Sequence, residues 1–84
     1  MSMLTGEDAL IAAEEVCAAT GARVRDLSAL VAAAAVPGTR IGGIPVHRDR
    51  AEARAALAEA VARLQPLTGG NDALARVLDR IAFG

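Results

Sequence analysis

Along most of the chain, apolar residues recur at the three- and four-residue spacing of an amphipathic helix, and turn residues divide them into four segments. The first opens at Thr5, a good cap residue, with Asp8 three positions on as an acidic variant of the capping box. Leu10, Ala13 and Cys17 follow at i, i+3, i+7 with Ile11 and Val16 beside them. This stripe is predicted to face inward, and Glu14 and Glu15 to face water. Thr20-Gly21 stops the helix. The second segment is predicted to be capped by Asp26, to place Leu27, Leu30, Val31 and Ala34 on one inner face, and to end at Pro37-Gly38. The third opens at Asp49, with Glu52 completing a second box pattern. Leu57, Val61 and Leu64 line its inner face, Ala53 and Ala60 extend it, and Pro66 ends it. The fourth starts near Asn71 or Asp72 and carries Leu74, Val77, Leu78 and Ile81.

Residues 39–48 break the helical period. Ile41, Ile44 and Val46 are β-branched and flank Gly42-Gly43, a pair able to supply the positive φ angles of a two-residue hairpin turn. Pro45 confines its arm to an edge. The prediction is therefore an all-α protein: a small bundle of about four helices with a short β-hairpin flap, in one domain spanning residues 1–84.

Composition narrows the function classes. A chain of 84 residues buries only about 60–65% of its unfolded surface, and alanine contributes little apolar area per residue. A second copy of the chain or another protein is a natural source of extra burial. All basic residues are arginine and the formal net charge is −1, which argues against a nucleic-acid binder that works by neutralising many phosphates. Arg48, Arg50 and Arg54 are the only close group and suit a solvated helix face. The lone Cys17 cannot form an intramolecular disulfide and is expected to be a buried, inert thiol. The N-terminus has no basic and apolar leader pattern, and the apolar run Leu30–Val36 is too short to span a bilayer, so the cytoplasm is the expected location.

Candidate chemistry concentrates in the stretch from Gln65 to Arg76. One helix ends at a proline, Gly69-Gly70-Asn71 makes a tight bend, and a new helix opens. Unpaired backbone N–H groups and the helix dipole make such a bend a potential anion cradle, although bends of this kind also join helices with no further role. The stretch resembles the signature loop of the Fic/Doc family, roughly His-x-Phe-x-Asp/Glu-Gly-Asn-x-Arg-x-x-Arg. Pro66, Gly70, Asn71 and Arg76 fit that frame. Gln65 stands at its histidine, Leu67 at its phenylalanine, Gly69 at its acid and Ala73 at its first arginine. The resemblance extends over residues 4–78. It includes Leu4-Thr5 before an acidic helix, Val24-Arg25-Asp26-Leu27 before an apolar one, and Ile41, Gly42, Gly43 and Ile44 in the position of the family's flap. Relative to Doc-type domains, the chain lacks helical cover after its fourth helix, which is expected to leave apolar surface on helices one and four.

The resemblance implies transfer of AMP or phosphate from a nucleotide to a protein hydroxyl, with the flap docking the target as an added strand. In the family the histidine is the general base, the acid holds Mg²⁺, and the Gly-Asn turn and arginine hold phosphates. Gln65 cannot take up a proton, which forgoes a factor of about 10²–10⁴ in rate. Gly69 offers no oxygen to a metal and Ala73 no clamp, while Asp72 opposes a polyphosphate. Asn71 suits a helix cap and Arg76 a wet helix face. His47, the single histidine, has only Asp49 nearby as a metal-ligating type, and is expected to be a surface or half-packed side chain. No catalytic residue, metal set or cofactor is therefore expected, and Gln65, Gly69, Gly70, Asn71 and Arg76 form at most a vestigial anion loop.

Three functions follow in order. The first is a non-catalytic Fic/Doc-like protein that docks a partner, an antitoxin or toxin encoded nearby. The second is a divergent active toxin, needing ATP, Mg²⁺ and a base from elsewhere. The third is a small DNA-binding or dimerisation module, with helices three and four as a helix-turn-helix; the acidic Asp72 and Asp79 beside Arg76 and Arg80 make that a poor recognition face.

Overall fold

Capping side chains fix three of the four helix starts where the sequence places them. In the computed structural model, which describes residues 3–84, Thr5 and Asp8 close a complete capping box at the start of α1 (Gly6–Thr20), and Gly21 ends that helix in the left-handed conformation. The Asp26 carboxylate accepts from the Ala29 N–H and opens α2 (Leu27–Ala35), which runs into a single 3₁₀ turn at Val36–Gly38. Asp49 likewise accepts from the Glu52 N–H at the start of α3 (Arg50–Leu64). Here only half of the expected box forms, because the Glu52 carboxylate turns instead to Arg48 at 3.3 Å and faces the His47 ring. The last helix is α4 (Asn71–Phe83). Between α2 and α3, β1 (Arg40–Ile41) and β2 (Ile44–Pro45) pair antiparallel, with Ile41 opposite Ile44. Gly42 and Gly43 both take positive φ, 59° and 80°, as a two-residue turn of this hand requires.

The four helices form a ring of contacts: α1 on α2, α2 on α3, α3 on α4 and α4 on α1, with the α3–α4 pair packed most extensively. Arg54 meets Asp79 and Arg50 meets Phe83, so α3 and α4 run antiparallel. Leu30, Leu57, Leu67, Leu74 and Leu78 fill one core, joined by Phe83 and by alanines from every helix. No helix is long and apolar enough to cross a membrane among the described residues.

The inward faces of α1 and α2 differ from the sequence expectation. Ala9, Ala12, Ala13 and Val16 are buried on α1, whereas Leu10 and Ile11 are exposed. On α2, Ala29, Leu30, Ala33 and Ala34 are buried, whereas Leu27 and Val31 face solvent. Cys17 is half-buried rather than fully enclosed. The reason is volume. Leucines from α2, α3 and α4 already occupy the centre, and an alanine stripe lets α1 approach them closely; larger residues on that face would overpack the space.

Candidate functional site

The chain reaches the bend by leaving α3 through Gln65, the only non-glycine residue with positive φ among those described, at 47°. Pro66 cannot donate to a continuing helix, and the backbone turns back. Asn71, the first residue of α4, then closes the bend from inside. Its Oδ1 accepts from the Leu67 N–H at 3.0 Å, and its Nδ2 donates to the Leu67 carbonyl at 3.0 Å and to Gln65 Oε1 at 3.1 Å. Asn71 was expected to cap α4. That role falls instead to the backbone of Gly70, which makes no side-chain cap bond, and the Asn71 side chain is turned back to pair with Leu67.

A second chain segment holds the bend from outside. Val24 and Leu67 form an isolated antiparallel bridge. The Arg25 and Asp26 N–H groups both donate to the Pro66 carbonyl, and the Thr68 N–H donates to the Arg23 carbonyl at 2.8 Å. The Arg25 guanidinium forks onto the Leu64 and Gln65 carbonyls at 2.7 and 2.8 Å, satisfying acceptors that the end of α3 leaves free. Arg25 and Thr68 escaped the sequence reading. The available signal was slight: Val24 alternates with Arg23 and Arg25 as in a short strand, and Leu67 lies between Pro66, which bars a helix, and Thr68.

The two glycines of the bend differ. Gly70 has φ of 71°, and a methyl group there would lie 3.1 Å from Val16 Cγ1 and 3.4 Å from Thr20 Cγ2, so glycine is what lets α1 close on the bend. Gly69 has neither a left-handed φ nor any neighbour within 4 Å of a built methyl group. Position 69, where the family pattern has its acid, is thus free to carry a side chain and lacks one.

The candidate residues divide among separate places. Gln65 and Asn71 are in direct contact, and the Gln65 Nε2 donates to the Ala62 carbonyl at 2.7 Å. Both amides are therefore engaged within the bend. Arg76 lies one turn further on, exposed, beside a cleft of about 600 Å³ between α3 and α4 that Arg54, Leu57, Val77 and Arg80 also line. Ile41, Gly42, Gly43 and Ile44 are at the other end of α3, which at 15 residues is about 22 Å long. Beneath the flap a smaller cleft of about 270 Å³ is lined by Pro37, Arg40, Pro45, His47 and Arg50. Gln65, Gly69, Gly70 and Asn71 line neither cleft.

His47 is half-buried, with Nε2 at 3.1 Å from the Val36 carbonyl and Nδ1 at 3.9 Å from Glu52. These contacts pin the chain between flap and α3 to the 3₁₀ turn. At the cleft between α3 and α4, Arg54 forms a bidentate pair with Asp79, both bonds 2.9 Å. The hydrogen bonds that Arg54 donates to Asp79, then the charge of that carboxylate, hold the guanidinium above its already high ordinary pKa. Arg50 and Arg54 also lie over the Phe83 ring, at 5.7 and 5.9 Å from its centroid. Among the described residues no three His, Cys, Asp or Glu side chains gather at metal-binding distance, and every buried side-chain polar atom has a partner.

No protein-family model, curated protein or solved structure matches the chain.

Proposed function

We propose that this chain is a non-catalytic, Fic/Doc-like protein that acts by docking another protein, within a toxin–antitoxin or related regulatory pair. One observation carries the reading. The Asn71 side chain, which in the family pattern would help hold phosphates, spends its acceptor and both donor contacts on Leu67 and Gln65. Opening it toward a ligand would strand the Leu67 N–H inside the fold, a cost of about 1–3 kcal/mol. The neighbouring position 69 supplies no carboxylate, and Gln65 supplies no base. What the bend offers is rigidity.

The flap has the opposite character. Ile41 and Ile44 are 73% and 71% exposed, face each other across the turn, and belong to a two-stranded ribbon in which neither strand has a second neighbour among the described residues. Free main-chain N–H and C=O groups on a strand edge are the usual means by which an extended segment is captured as an added strand, with exposed side chains such as these adding specificity. Pro45 has no N–H to offer, so β1 is the edge suited to it. The antiparallel packing of α3 on α4 leaves no projecting recognition helix, which counts against the DNA-binding alternative.

The reading is tested in two arms. Incubation with labelled ATP, Mg²⁺ and an extract of the native cell is expected to give no transfer. Label transfer that disappears on changing Asn71 or Arg76 overturns the proposal and favours the active-toxin alternative. In the second arm, a protein retained by the wild-type chain is expected to be lost on Ile41→Asp/Ile44→Asp while far-UV circular dichroism is unchanged. Retention by that variant removes the flap from the mechanism.

A further inference from the structure

Two unmatched surfaces of this chain fit one another. On α1, Glu7, Ile11, Glu14 and Ala18 recur at i, i+4, i+7, i+11 and are all exposed, with Leu10 and Glu15 alongside. The helix carries no basic residue, and Glu7, Glu14 and Glu15 have no ion-pair partner among the described residues. The result is a negatively charged stripe around an isoleucine that is 57% exposed. On the cleft between α3 and α4 the signs reverse. Leu57, Ala58, Ala73 and Val77 give an apolar lining, and Arg76 and Arg80 flank it without an ion-pair partner among the described residues. Arg54, the third arginine there, is already neutralised by Asp79.

We infer that α1 of one copy docks into the α3–α4 cleft of a second copy, head to tail. Within one chain the contact is barred, because α1 packs its alanine face on α2 and α4, so its acidic stripe points away from the bundle. A nucleic acid is a poorer occupant. It would gain only two free guanidiniums, lie against Asp79, and leave the apolar lining unused. An acidic amphipathic helix satisfies both the arginines and the lining, and this chain presents one. Self-association also supplies burial that a small alanine-rich core lacks. Because the two surfaces differ, the interface is heterologous, and repetition builds a ring or a filament rather than a two-fold dimer.

Sedimentation velocity of the full chain over a range of concentration tests this. The wild type is expected to exceed monomer mass at low salt and to lose mass near 1 M salt, where the Debye length is about 3 Å. Arg76→Glu/Arg80→Glu and Glu7→Arg/Glu14→Arg are each expected to be monomeric with unchanged circular dichroism, since all four side chains are exposed. Mixing the two variants is expected to restore association, because an unaltered α1 then meets an unaltered cleft. A wild type that stays monomeric, a variant that associates alone as the wild type does, or a mixture that stays monomeric overturns the inference. None of these outcomes bears on the flap, so capture through Ile41 and Ile44 stands or falls separately.

Discussion

Asn71 and Leu67 are joined in a closed ring: the Asn71 amide both accepts from and donates to the Leu67 backbone, each at 3.0 Å. The pairing imitates one rung of a β-ladder with a side chain in place of a strand. Leu67 is at the same time paired with Val24 on its other side. Leu67 is thereby held as the middle of three paired members, between Val24 and the Asn71 amide, and α4 cannot move without disturbing α3 and the α1–α2 link.

Asn71→Ala is therefore expected to cost about 2 kcal/mol, the penalty for a buried N–H left without a partner. For a domain of this size that lowers Tm by roughly 8–16 °C. Asn71→Asp keeps the acceptor for Leu67 but can donate to neither Leu67 nor Gln65, so it is also expected to be less stable than wild type. Thermal melts followed by far-UV circular dichroism measure both; a Tm within a degree or two of wild type for Asn71→Ala would refute the ring as a stabilising element.

The two glycines of the bend are expected to respond with opposite signs. Gly70→Ala forces a left-handed backbone on an L-residue, about 1–2 kcal/mol, and adds a contact with Val16 that α1 must move to relieve. Gly69→Ala meets open space and removes freedom from the unfolded chain, a gain of about 0.4–1 kcal/mol. Urea unfolding of the pair, compared at equal slope, decides the matter.

Phe83, the single aromatic residue, is 6% exposed although it is next to the last residue. It closes the end of the core, and Arg50 both donates to its carbonyl and lies over its ring. Phe83→Ala is expected to cost about 3–5 kcal/mol. A domain of this length has roughly 4–13 kcal/mol in total, so the variant should be largely unfolded in low denaturant. Circular dichroism is the suitable probe, since the chain has no Trp or Tyr.

The Arg54–Asp79 pair should couple α3 to α4 with a characteristic pH and salt response. The Arg54 pKa is raised, so its contribution is complete below the ordinary arginine value and is lost only as pH rises through a still higher one. The coupling in an Arg54→Met, Asp79→Asn double-mutant cycle is therefore expected to be flat on the alkaline side up to the ordinary arginine pKa. It should weaken with added salt, because both groups are partly exposed. Alkaline titration of the coupling well below that value would show that another group carries the effect.

Local sequence alone determined the four helices, their caps at Thr5, Asp26 and Asp49, the stop at Gly21 and the Gly42-Gly43 turn, because each depends on residues within a few positions of one another. It also marked the bend that ends α3 before Pro66 and opens α4 at Asn71. Tertiary structure decided which helical face turned inward. α1 and α2 each present two apolar stripes, one alanine-rich and one with larger residues, and periodicity cannot rank them; the space already filled by Leu30, Leu57, Leu74 and Leu78 does. It also decided where the Asn71 amide points, since its partner Leu67 is held in place by Val24, more than forty residues away in sequence. Short-range steric and hydrogen-bonding preferences write the elements, while volume and long-range backbone pairing choose among the arrangements those elements allow.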